Sequence, residues 1–159
     1  MKKISLILLF VGLNFFGQQH QLPDLNLADV NGKKMSLKND FLEKDKFYIF
    51  SFWATWCSPC INELEEINEV YDDWKKNVNI ELIAVAIDDS RTVKRVRPLA
   101  NGKEWTYKIL LDTNQDLKRA LTIVNVPYTI VVKNGKIVHI QNGYSPGSGT
   151  ELLEKLKTL

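Results

Sequence analysis

Phe47-Tyr48-Ile49-Phe50-Ser51-Phe52-Trp53-Ala54-Thr55-Trp56-Cys57-Ser58-Pro59-Cys60 leads an apolar run straight into a pair of cysteines. The stretch from Phe47 to Trp53 predicts a central strand buried on both faces. Cys57 and Cys60 are the only cysteines in 159 residues. Their spacing lets one sulfur reach the other once the first turn of a following helix forms. The partial positive charge at a helix N-terminus favours thiolate over thiol, and thiolate is the nucleophile. A dithiol placed there has the chemistry of disulfide exchange.

That helix is expected from about Ser58 to Lys76. Ile61, Leu64, Ile67, Val70, Tyr71 and Trp74 recur on one apolar stripe, and Lys75 and Lys76 complement the dipole at its end. Upstream, Leu25 to Leu37 reads as a hairpin turning at Asn31-Gly32, followed by a turn or short helix over Lys38 to Glu43. Downstream, Ile80 to Ile87 is a second buried strand, and Ser90 is placed to cap a helix through Leu99. Tyr107 to Leu111 is a strand, and Asp112-Thr113-Asn114 leads into a short helix ending at Leu121. Tyr128 to Val132 and Ile137 to Gln141 form a hairpin around Asn134-Gly135. Gly149-Thr150 starts a helix that reaches the C-terminus. This alternation is α/β, with a mixed central sheet flanked by helices.

The length suits one domain, and 45% hydrophobic residues can fill one core. A net charge of +2 is too small to indicate nucleic acid. The cluster Arg91, Lys94, Arg95, Arg97 reads as a solvated helix face. One Cys-x-x-Cys cannot close a four-ligand zinc site within a monomer, and His20 and His139 stand far from it in sequence. Neither metal nor cofactor is expected, and the chain is expected to be a monomer. Met1-Lys2-Lys3 followed by 13 largely apolar residues, Ile4 to Phe16, suits a signal peptide. Residues 1–17 are assigned to it and 18–159 to the domain. An uncleaved anchor is the alternative, although the apolar stretch is short for a span. An exported chain, in the periplasm or cell envelope, works where disulfides persist. The pair could there be a structural staple, but so small a loop stabilises little by chain entropy.

Phe52-Trp53-Ala54-Thr55-Trp56-Cys57-Ser58-Pro59-Cys60 resembles the active-site segment of the thioredoxin superfamily. The sharper similarity is to the exported TlpA/ResA-like thiol-disulfide oxidoreductases. Leu22-Pro23-Asp24-Leu25-Asn26-Leu27 and Asp29-Val30-Asn31-Gly32-Lys33 are similar to that family's opening hairpin. Glu63 matches its acidic position and Val126-Pro127-Tyr128-Thr129 its proline loop. The resemblance runs from about Leu22 to the C-terminus. It implies a thioredoxin fold with an N-terminal β-hairpin and a strand and helix inserted between Ile87 and Leu121.

Cys57, first of the pair and nearest the helix start, is expected to be exposed and to attack. Cys60, one turn deeper, is expected to resolve the mixed disulfide. Ser58 and Pro59 lie between the sulfurs and tune the potential. Strongly oxidising relatives carry a histidine there, so its absence leans the site towards reducing others. Trp56 is read as partner-binding surface and Trp53 as core. Glu63 lies three residues past Cys60, placed to exchange the resolving thiol's proton, or else it is an ordinary acid of an early helical turn. The thioredoxin subgroup has an aspartate where Ser51 stands, which shifts this burden to Glu63. Glu65 departs from the proline often found there in the TlpA/ResA-like subgroup. Cis X–Pro bonds are uncommon, so the residues alone indicate trans at Pro127. The resemblance implies cis, with the Val126 backbone free to pair with an extended partner segment.

The rival readings are a peroxidase of the same fold, a copper carrier, and a binding module with an inert disulfide. A peroxidase needs Pro-x-x-x-Thr-x-x-Cys, and Phe50 and Ala54 occupy those places before Cys57. A copper carrier wants a wider cysteine spacing. The implied partners are protein disulfides, among them apocytochrome c, and a membrane dithiol protein as electron donor.

Overall fold

Seven consecutive buried residues, Phe47–Trp53, form the strand at the molecule's centre. The computed structural model describes residues 21–159; the expected signal peptide lies outside them. In chain order the elements are β1 (Asn26–Asp29), β2 (Lys34–Ser36), β3 (Phe47–Trp53), α1 (Ser58–Asn77), β4 (Ile80–Ala86), a 3-10 turn (Val93–Arg95), α2 (Val96–Gly102), β5 (Lys108–Leu111), α3 (Asp116–Ala120), β6 (Tyr128–Lys133), β7 (Lys136–Asn142) and α4 (Ser148–Leu156). The seven strands join in one sheet of order β2-β1-β5-β4-β3-β6-β7.

β3 pairs in parallel with β4 and antiparallel with β6, so it has no free edge. β4 in turn pairs in parallel with β5. The C-terminal ends of β3, β4 and β5 therefore share one end of the sheet, and the cysteines follow the end of β3. The opening hairpin turns at Asn31-Gly32, where Gly32 takes φ 84°. The inserted strand β5 bridges this hairpin to the core sheet through its antiparallel pairing with β1. The fold is the expected thioredoxin type, with helices packed on a mixed sheet.

Four local expectations change. Ser90 does not cap a helix: the Asp89 carboxylate accepts from the N–H groups of Arg91 and Thr92, and the helix begins only after a 3-10 turn. Asp89 is a carboxylate, a stronger acceptor than a hydroxyl. The apolar stripe of α1 is narrower than its sequence period, because Leu64, Ile67, Tyr71 and Trp74 are buried while Val70 is exposed and Ile61 half-buried. Tyr107 precedes β5 rather than opening it. The last helix starts at Ser148, after Gly147 at φ 88°, and stops at Leu156 short of the C-terminus.

The core continues from β3 into both flanks. Phe41 meets Tyr48 and Phe50 edge-on, at 5.3 and 5.1 Å between ring centres. Trp53, fully buried as expected, meets Trp105 edge-on at 5.0 Å. Among the described residues no helix is long and apolar enough to cross a membrane.

Candidate active site

The turn that ends β3 presents the cysteines. The Cys57 N–H donates to the Ala54 carbonyl at 3.0 Å, and the Cys57 carbonyl accepts from the Ile61 N–H at 3.1 Å. Cys57 is thus the N-cap of the 20-residue helix α1. Pro59 sits in the first turn, where its missing N–H forfeits no helical bond. A disulfide joins Cys57 and Cys60, with the Cα atoms 5.3 Å apart. Cys57 is 6% exposed and Cys60 0%. The expectation of an exposed Cys57 is therefore corrected for this oxidised state. Bonded to fully buried Cys60, Cys57 leaves only a small part of its surface to solvent. Cys57 is still the more accessible of the two.

A residue that sequence reasoning missed holds this turn. Asp88, fully buried just beyond β4, accepts from both the N–H (2.9 Å) and the hydroxyl of Thr55. The loop between β3 and the cysteines is thereby pinned to the neighbouring strand end. The only trace in sequence is an acid directly following a buried strand.

Glu63 lies on α1 one turn past Cys60 and is 2% exposed. The Ser51 hydroxyl donates to its Oε2 at 3.1 Å. Ser51 and Thr129 face each other across β3 and β6. Burial pushes the Glu63 carboxyl up to about 7. Ser51 and the adjacent Thr129 oppose that shift, and the nearby charge of Glu66 adds to it. The Thr129 hydroxyl is close enough to be felt, yet it falls short of hydrogen-bond geometry. Such a carboxyl changes protonation near neutral pH, which an exposed glutamate does not.

The remaining candidates gather at the same end of the sheet. Trp56 is 58% exposed, and Ser58 and Pro59, the two residues between the cysteines, are exposed as well. The Val126–Pro127 peptide is cis, as the resemblance implied and against the residue-only reading. Pro127 is buried and Val126 half-buried. β6 starts directly after Pro127, and its first residue, Tyr128, pairs with Phe52, one place before Trp53. The Pro127 carbonyl accepts from the Gly143 N–H at 2.9 Å, whereas Val126 makes no backbone hydrogen bond among the described residues. Glu65, the departure from the subgroup's proline, pairs with Lys103 at 2.6 Å and so ties α1 to the end of α2. Lys94, Arg95 and Arg97 are exposed, and Arg91 is paired with Asp89.

A thioredoxin fold with a bonded Cys-x-x-Cys at the start of a helix defines a thiol-disulfide oxidoreductase. The AhpC/TSA family model matches residues 18–140, and the chain belongs to that family. It is 30% identical over 156 residues to the thiol-disulfide oxidoreductase ResA of Geobacillus thermodenitrificans (strain NG80-2), covering 90% of this chain and 86% of the relative. A ResA of Bacillus thuringiensis subsp. konkukian (strain 97-27) is 28% identical over 74% of this chain and 65% of its own length. A solved thioredoxin-like protein from Porphyromonas gingivalis is 42% identical, with a TM-score of 0.75 over 87% of this chain and 90% of that one. The chain is accordingly a thiol-disulfide oxidoreductase of the ResA type. Phe50 and Ala54 still stand where a peroxidatic cysteine would need proline and threonine.

Proposed function

We propose that the chain reduces disulfides of exported proteins, with Cys57 as attacking thiol and Cys60 as resolving thiol. The observation that carries this is the pair itself: bonded sulfurs at the N-terminus of a long helix, the outer one edge-exposed beside Trp56. The Cys57 thiolate attacks a partner disulfide, forming a mixed disulfide and releasing one partner thiolate. Cys60 then attacks Cys57, closing the 57–60 bond and releasing the second thiolate. Glu63 accepts the Cys60 proton in that second step; its burial one turn away supports the role. Trp56 and the unpaired Val126 backbone receive an extended partner segment, in the manner of strand addition. Ser58-Pro59, without histidine, favours a reducing potential.

The basic and apolar N-terminal sequence supports export of the domain to the cell envelope. Exported protein disulfides, apocytochrome c among them, are the substrate class. A membrane dithiol protein is the proposed source of electrons. Insulin reduction tests the reaction: wild type is expected to precipitate insulin chains in the presence of dithiothreitol, and Cys57→Ser to be inactive. Equal activity of Cys57→Ser overturns the assignment. Equilibration with glutathione tests direction. A potential below roughly −200 mV is expected, and one near −120 mV would make the protein an oxidant.

A further inference from the structure

Three adjacent strands each place one polar side chain on a single line across the sheet. Ser51 of β3 faces Thr129 of β6, and Thr129 faces Gln141 of β7. Residues directly opposite on paired strands point to the same face. At one end of the line the Ser51 hydroxyl donates to Glu63. At the other, Gln141 lines an open cleft of about 400 Å³ with Tyr144, Ser148 and Glu151. Glu66 accepts from the Tyr144 hydroxyl at 2.8 Å and the Gly147 N–H at 3.2 Å, fixing the loop from which Ser148 begins α4.

Thr129 Oγ1, Gln141 Nε2 and Ser148 Oγ are all buried atoms with no hydrogen-bond partner among the described residues. Buried polar groups are almost always paired, and ordered water pairs them where protein does not. Of the five such atoms among the described residues, two are the indole nitrogens of Trp53 and Trp105, and the other three lie on the line from Ser51 to the cleft. We propose that Ser51, Thr129, Gln141 and Ser148 form a hydrated polar track that carries the Glu63 proton between the buried dithiol and the cleft beside α4.

The proposal rests on the reading of Glu63 as the base for Cys60. In the resolving step the Cys60 proton passes to the Glu63 carboxylate as the Cys57–partner bond breaks and the 57–60 bond forms. Glu63, 2% exposed, must then return that proton to water before the next cycle, and the track supplies the route. The titratable groups whose charge is coupled to Glu63 are Glu66 on α1, Tyr107 ahead of β5 and Tyr144 after β7, and Cys60 lies one turn before it on α1. Thr129, Gln141 and Ser148 act through Glu63 and are positioning residues.

The test mixes reduced full-length protein with excess glutathione disulfide and follows tryptophan fluorescence from acid to mildly alkaline pH, in water and heavy water. In wild type, closure of the 57–60 bond should quicken as Glu63 ionises. Thr129→Val and Gln141→Leu should each slow closure by about tenfold, the equivalent of one lost hydrogen-bonded link. Both should move the rising limb to higher pH and enlarge the solvent isotope effect. Thr129→Ser should restore wild-type behaviour. Glu63→Gln should abolish the limb. Folded Thr129→Val and Gln141→Leu variants with wild-type rate, limb and isotope effect, alongside a Glu63→Gln that loses the limb, overturn the track alone. A Glu63→Gln that keeps the limb overturns the base and the track with it. If Thr129→Val fails to fold, Gln141→Leu on the edge strand decides.

Discussion

Glu63 keeps its proton over a range of pH in which an exposed glutamate has lost it. Burial is the cause, and the folded carboxyl titrates at about 7 against an ordinary 4.5. The unfolded chain releases that proton near the ordinary value, the folded protein only near neutrality. Stability tied to the protonated carboxyl is therefore fully present below the unfolded value and is lost as pH rises towards 7. Above neutrality the buried carboxylate costs on the order of 3 kcal/mol, the free-energy equivalent of the shift. Glu63→Gln, which keeps the shape without the charge, should melt higher than wild type at alkaline pH and converge with it in acid. Calorimetry across this range checks the sign. A variant that is less stable than wild type at alkaline pH would mean that the carboxylate is stabilised by its surroundings. A residue kept at such a cost fits a proton-handling role better than that of an ordinary helical acid.

The element that matters most is the turn from β3 into α1. Its geometry depends on Asp88, which holds Thr55 from the end of β4. Asp88→Ala should leave two Thr55 donors unpaired and lower stability by roughly 2–3 kcal/mol. Disulfide exchange should slow even at temperatures where the variant is folded, because the turn no longer fixes Cys57; a kinetic assay paired with a denaturant melt separates the two effects. The Glu65–Lys103 pair between α1 and α2 is half-exposed and should contribute far less, about 0.2–1 kcal/mol. Lys103→Ala is expected to leave exchange rates unchanged. A large loss of activity there would show that the α2 end positions α1. Legibility at this scale follows contact range. The strand over Phe47 to Trp53 and the helix from Ser58 were readable because local apolar runs and periods fixed them. Asp88 was not, since its partner lies 33 residues away. Ser90 was misread as a cap because a neighbouring carboxylate outcompetes a hydroxyl for the same N–H groups.

At the scale of the molecule, the sheet brings together a dithiol after β3, a carboxyl on α1 and a proline loop before β6, residues separated by as many as 70 positions (Cys57 to Pro127). The motif Trp-Cys-x-x-Cys marked out the two cysteines that the structure joins as a disulfide. The cis state of Val126–Pro127 was legible only through family likeness, because local sequence favours trans. The depth of Cys57 was not legible in the local sequence, which shows only that it comes first in the pair and nearest the helix start. The proposed reaction requires Cys57 to be the attacking thiol once the 57–60 bond is reduced. Helix and turn then leave Cys57 at the N-terminus of α1 and Cys60 one turn inside it. The most direct measurement is alkylation of the reduced protein with iodoacetamide over a range of pH, read by peptide mass spectrometry. Cys57 should be modified first, with a midpoint below the free-thiol value of about 8.5. Faster modification of Cys60, or a Cys57 midpoint at or above the free value, would contradict the account.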